Sequence, residues 1–215
     1  MRELLSLCIG YLLGSVLPAD LLARARGVDI RAMGTHNPGT TNALEQLGLV
    51  PGLITLVYDA PVGLASMYIA SRLGLSTGWI YLAGLAAVVG HIFPIFFHFR
   101  GGQGMAATTG MLVYEMWVAL AGGQLSWEGI AMLGALAATV LVLTRSASVV
   151  GALVAPLLEL QVLLSSADWQ LVTFMTALTG IIWVVQLSIV RQQHLFHLAT
   201  PVGEWLGKFR APTQG

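Results

Sequence analysis

Seven long apolar runs separated by short polar stretches organise the chain: approximately Leu4–Leu22, Leu49–Ala70, Gly78–Phe99, Ala106–Ala121, Trp127–Thr144, Ser148–Ser165 and Trp169–Val190. Apolar runs of ~20 residues predict membrane-spanning helices, because hydrocarbon offers backbone groups no partner and a helix satisfies them internally. Strand signals are absent. The expected fold class is all-α, a polytopic membrane protein with about seven transmembrane helices. The fourth run is the shortest and carries Glu115 in its middle, where an ionisable group is expensive. The first run follows Arg2 without an A-x-A-type cleavage signal and is expected to be a retained span.

Composition agrees with this pattern. The chain is 56% hydrophobic and 9% charged, far below the roughly 25% charge of a soluble domain. Ten basic and ten acidic residues cancel, so no net field favours nucleic acid. Their distribution is uneven. Seven spans put Arg24, Arg26, Arg31, Arg100, Arg145, Arg191, Lys208 and Arg210 on one side and only Arg2 and Arg72 on the other. The positive-inside rule then places the N-terminus outside, with the loops at 23–48, 100–105 and 145–147 and the tail from 191 in the cytoplasm. The chain reads as one domain, 1–215, without a linker. Cys8, the single cysteine, lies in an apolar run and is expected to pack rather than to pair.

Three polar islands fall on the cytoplasmic side. The longest runs from Gly27 to Asn42 and contains Arg31, Gly34, Thr35, Asn37, Gly39, Thr40, Thr41 and Asn42. Its glycines free the backbone to expose N–H groups, and its hydroxyls and amides add donors, as an oxyanion or phosphate nest requires. Thr40, Thr41 or Asn42 is also placed to cap a following helix. The second island, Arg100-Gly101-Gly102-Gln103-Gly104, feeds a helical run, so its backbone and the helix N-terminus can face an anion. It is no P-loop, since G-x-x-x-x-G-K-[ST] is missing. The third, around Arg145, Ser146 and Ser148, is a hydroxyl-rich turn with one guanidinium. Each island alone also suits a plain capped loop. Positive-inside sorting accounts for the arginines on this face, but not for the glycines and hydroxyls gathered with them.

Asp20, Asp59, His91, His98, Glu115 and Glu159 sit in or near the spans, where ionisable groups default to functional hypotheses. His91 precedes Pro94, and its imidazole is placed to satisfy backbone carbonyls that the proline frees. A Ser-His-Asp hydrolase is disfavoured because no G-x-S-x-G elbow exists. His194 and His197 lack a nearby carboxylate or thiol, so no metal site is expected.

At these residues the sequence resembles the bacterial acyl-phosphate:glycerol-3-phosphate acyltransferases, membrane enzymes that form lysophosphatidic acid. The resemblance rests on Gly10-Tyr11-Leu12-Leu13-Gly14-Ser15, Asp29-Ile30-Arg31, Gly34-x-x-Asn37-x-Gly39-x-Thr41-Asn42, Asp59, and Gly90-His91-x-Phe93-Pro94 followed by Phe99-Arg100-Gly101-Gly102-Gln103-Gly104. It implies seven spans in the inner membrane, no cofactor, and two substrates, acyl phosphate and glycerol 3-phosphate. It further implies that Thr35, Asn37 and Ser148 serve the chemistry. Arg31, Gly34, Gly39, Thr41, Asn42, Arg100, Gly101, Gly102, Gly104 and Arg145 would hold phosphate, with His91 in support. Departures are also visible. Thr35 stands where the family has serine, Glu45 replaces an arginine, Gln103 replaces a lysine, and Gln192 and Leu195 stand where histidine and asparagine are expected. These leave open a second reading, a noncatalytic paralogue that binds a lipid phosphate or a partner protein.

Overall fold

The computed structural model describes residues 1–123 and 127–144, together with Leu157 and Gly180. Apart from those two residues, the sixth and seventh apolar runs lie outside the described residues. So do Arg145, Ser146, Ser148, Glu159, Gln192, His194, Leu195 and His197. Among the described residues every regular element is helical: α1 Arg2–Gly14, α2 Pro18–Ala25, α3 Thr40–Leu47, α4 Leu49–Arg72, α5 Thr77–Ile92, α6 Met105–Ala121 and α7 Trp127–Thr144, with 3-10 turns at Ile30–Ala32 and Ile95–Phe97. Two stretches, Leu49–Arg72 and Thr77–Phe97, are long and apolar enough to cross a membrane, and a third qualifies if α1 and α2 count as one bent span.

That bend revises the first expected span. Leu4–Leu22 is not one straight helix, since α1 and α2 meet at 40°. Pro18 disfavours helical geometry at the residue before it, and Leu17 is extended, with φ −117° and ψ 93°. The fourth run forms α6, which at 17 residues is shorter than the two clear spans.

α1 packs on α5, and α4 packs on α5 and α6. Between α1 and α5 the contact is close because side chains are missing: a Cβ on Gly14 would run into the Ala87 backbone, and one on Gly90 into the backbone of Tyr11. Lipid is as apolar as the helices, so the gain comes from dispersion at short range, which small residues allow. The Gly10-to-Ser15 motif therefore has a packing role. The main core joins Val62, Met67, Tyr81, Ala87, Val88, Ala107 and Met111. A smaller one, Ala19, Ala23, Ile30, Ala43 and Leu47, seats α2 and α3 against the first polar loop. Glu115 is buried between α5 and α6, where it forms a hydrogen bond with Tyr81.

Candidate functional site

The first polar loop is shaped by Asn42. This residue is 1% exposed. Its Nδ2 donates to the carbonyls of Ile30 (3.1 Å) and Met33 (3.0 Å), while its Oδ1 accepts from the Thr35 N–H at 3.0 Å. One amide thus closes the 30–35 turn, and its polar capacity faces the protein's own backbone. Gly34 has φ +53°, and a Cβ there would meet both Asn42 Oδ1 and Gln46 Nε2. The loop accordingly draws tight only at glycine. The expected side-chain cap from Thr40, Thr41 or Asn42 is not formed. Gly39 is the N-cap of α3 without a side-chain cap bond, and all three residues lie inside the helix. Thr35 is exposed on the loop and Thr41 on the first turn of α3.

The second loop is drawn back onto the end of α5. The last carbonyls of any helix need partners from outside it. Those of His91, Ile92 and Phe93 accept from the Gly102 N–H (2.9 Å), the Gly101 N–H (3.1 Å) and the Tyr11 hydroxyl (2.8 Å). The carbonyls near Pro94 are therefore satisfied by loop N–H groups and a tyrosine, and the His91 ring is left for another contact. The two glycine N–H groups expected to face an anion are engaged by the protein itself. A Cβ on Gly101 would collide with the same carbonyls. Gly104, with φ +73°, turns the chain into α6 as its N-cap.

Arg31 joins the two loops. Its guanidinium pairs with Asp20 and also donates to the Arg100 carbonyl. Burial, and then the charge of Arg100, lowers its pKa from the ordinary value. Asp20 is the neighbour that opposes this effect. Only 2% exposed, it also binds Arg24, whose guanidinium lies 5.2 Å from the centroid of the Phe97 ring. Asp20 had no partner assignable from the sequence. The i, i+4 spacing of Asp20 and Arg24 at the start of an amphipathic helix was the available signal.

Asn37 reaches across. A Cβ placed on Gly102 would lie 3.4 Å from Asn37 Oδ1 and 2.5 Å from His91 Nε2. The fold therefore gathers Arg31, Asn37, His91, Arg100, Gly101 and Gly102 where the two islands meet, with Gly34, Gly39, Thr35, Thr41 and Asn42 on the adjoining turn. Among the described residues no group of three or more His, Cys, Asp or Glu side chains is arranged to hold a metal ion.

Known proteins carry the same arrangement of sequence. A profile described as glycerol-3-phosphate acyltransferase matches residues 4–194. The chain is 45% identical over 112 residues to glycerol-3-phosphate acyltransferase 1 of Deinococcus radiodurans, covering 52% of this chain and 57% of that protein. It is 42% identical over 113 residues to the Geobacter sulfurreducens protein, covering 53% and 58%. Against the Methylococcus capsulatus protein it is 40% identical over 146 residues, covering 65% and 74%. The match thus spans little more than half the length of the first two relatives. Among solved structures, an integral membrane glycerol 3-phosphate acyltransferase in its glycerol 3-phosphate form superposes with TM-score 0.75 at 23% identity, covering 91% of this chain and 93% of that one. Its lysophosphatidic acid form gives 0.72 at the same identity and coverage. These two likenesses concern the fold.

Proposed function

The chain belongs to the glycerol-3-phosphate acyltransferase family, and from that premise we propose that it moves a fatty acyl group from acyl phosphate to the sn-1 hydroxyl of glycerol 3-phosphate. The hydroxyl oxygen attacks the acyl carbonyl, a carboxylic ester forms, and the bond to the phosphate oxygen breaks. Lysophosphatidic acid and inorganic phosphate leave, with no covalent enzyme intermediate. The acyl chain lies between helices. The observation that carries this reading is the meeting of a glycine- and hydroxyl-rich loop with a second, glycine-rich one through Arg31, Asn37 and Gly102. Two phosphorylated substrates need such a double anion site, and holding them side by side supplies acceleration through proximity and fixed charge.

In this reading Thr35, Asn37 and Ser148 serve the reacting groups. Arg100, Thr41 and Arg145 face phosphate, as do the backbones at Gly34, Gly39 and Gly104. Arg31, Asn42, Gly101 and Gly102 set the shape of the cradle, since their polar groups are engaged with the protein. The proposal includes seven spans in one inner-membrane domain, with the N-terminus outside and both loops in the cytoplasm. A cysteine introduced at the exposed Ala32 of the first loop should then be shielded from an impermeant thiol reagent outside intact cells.

The direct test incubates purified protein with acyl phosphate and labelled glycerol 3-phosphate. Lysophosphatidic acid is the expected product. Binding of glycerol 3-phosphate without turnover would instead favour the noncatalytic reading, and absence of both binding and turnover would overturn the assignment. Restoring charge with Gln103→Lys and Glu45→Arg should tighten phosphate binding, because each adds a charge-assisted contact. A slower double variant would mean that the site is rebuilt around Glu45 and Gln103.

A further inference from the structure

Behind the Gly101–Gly102 turn lie two ionisable side chains that the proposed chemistry does not use. Asp59 in α4 is 1% exposed and His91 at the end of α5 is 3% exposed. Neither Asp59 oxygen has a hydrogen-bond partner among the described residues. The Asp59 Oδ1 to His91 Nδ1 separation is 3.9 Å, too long for a direct hydrogen bond and short enough for a small ring movement to close. A carboxylate inside an apolar bundle is costly and persists where it serves a purpose.

The other face of the imidazole identifies that purpose. His91 Nε2 lies against Gly102, so close that a Cβ there would be only 2.5 Å away. The carbonyl of the same residue accepts the Gly102 N–H at 2.9 Å. His91 thus meets the turn twice, through a backbone hydrogen bond and through its closely packed ring. Asn37 Oδ1 meets the Gly102 position from the opposite loop at 3.4 Å. A shift of the ring would be felt by the turn and by Asn37 together.

We propose that Asp59 and His91 form a positioning pair: Asp59 orients the imidazole, and the imidazole fixes the Gly101–Gly102 turn against Asn37 in the arrangement that receives the phosphorylated acceptor. His91 is covered by Gly102 and acts through it, so its effect falls on acceptor affinity more than on the chemical step. The inference rests on the acyl-transfer reading above; it adds Asp59 to that site and gives His91 a defined role in it.

The test uses the full-length purified chain with acyl phosphate held saturating and glycerol 3-phosphate varied. His91→Ala removes the ring packed against the turn and should raise the acceptor KM by about tenfold, with kcat within about threefold of wild type. Asp59→Asn should shift KM in the same direction by a few fold. His91→Gln keeps an N–H donor at similar reach and should recover part of the loss, as should free imidazole added to His91→Ala. Equal loss of folded protein and of activity in all variants, with KM unchanged, would reduce the pair to a packing element and overturn the inference. A kcat collapse at unchanged KM would do the same, by making the imidazole a participant in the reaction. Should His91→Ala fail to fold, the nearly isosteric Asp59→Asn decides by the same KM-against-kcat split. Wild-type protein that binds acceptor without turnover is read by Kd in place of KM. Wild-type protein that neither binds nor turns over removes the acyl-transfer reading and this inference with it, an outcome distinct from normal wild-type kinetics with unmoved variants.

Discussion

In the bundle, helices approach one another where side chains are missing; in the two loops beside it, segments approach through polar groups that are present. Gly14 and Gly90 let α1 and α5 touch backbone to backbone. Asn42 closes the first loop on itself, and Arg31, paired with Asp20, ties it to the second through hydrogen bonds and an ion pair. The first kind of contact rests on many weak dispersion terms and tolerates little added volume. The second rests on a few directional bonds whose loss leaves buried polar groups stranded. A substitution should therefore disturb the whole molecule in the bundle and the site alone in the loops.

The sharpest way to break this contrast is Gly14→Val. Its Cβ would collide with the Ala87 backbone, and backbone cannot step aside as a flexible side chain can, so a cost of roughly 3 kcal/mol or more is expected. Thermal denaturation in detergent should show every probe shifting together. A normal melting temperature would mean that α1 and α5 are not held by this close approach.

Asn42→Ala should cost less, about 2 kcal/mol, because it strands two carbonyls and one N–H. The signature is local: hydrogen exchange should quicken across residues 30–36 while α4 and α5 stay protected. Uniform loss of protection would show that the loop and the bundle unfold as one unit.

Asp20→Asn should come next, at roughly 1–2 kcal/mol, a figure discounted because Arg31 and Arg24 are partly exposed. Without the carboxylate, nothing described opposes the burial of Arg31, and its link to the Arg100 carbonyl should loosen. Weaker binding of glycerol 3-phosphate in a titration, with a melting temperature lowered by only a few degrees, is the expected result. Unchanged affinity would separate the Arg31 bridge from the site.

The smallest effect belongs to His98. It is exposed and holds φ +55°, followed by Phe99 at φ +59°. A left-handed non-glycine residue costs roughly 1 kcal/mol, so His98→Gly should relieve about as much as glycine's added chain entropy takes away. Near-zero change in melting temperature is expected. A loss comparable to Asn42→Ala would reveal a contact made by the imidazole.

How far each region could be read from the sequence follows from the same contrast. The helices of the bundle were legible because their signal is local. Leu49–Ala70 and Ala106–Ala121 correspond closely to α4 and α6, and Gly78–Phe99 covers all but the first residue of α5. Leu4–Leu22 was read as one span because hydropathy does not register the change of direction at Pro18. In the loops the residue types were legible and their duties were not. Asn42 and Gly101 stood out as polar or glycine-rich ligands, yet their hydrogen-bonding groups face the protein. Asp20 stood out only as an ionisable group in or near a span.

The sequence by itself determined an all-helical chain suited to a bilayer, its family, and the two polar loops in which chemistry would be placed. Period, length and composition carry that information, since a backbone in hydrocarbon has few alternatives to a helix. Only the tertiary structure decided which donor meets which acceptor. Arg31 and Arg100 are 69 residues apart, and Asp59 and His91 come from different helices. The energy of such pairs depends on separation and burial, which no local window of sequence contains.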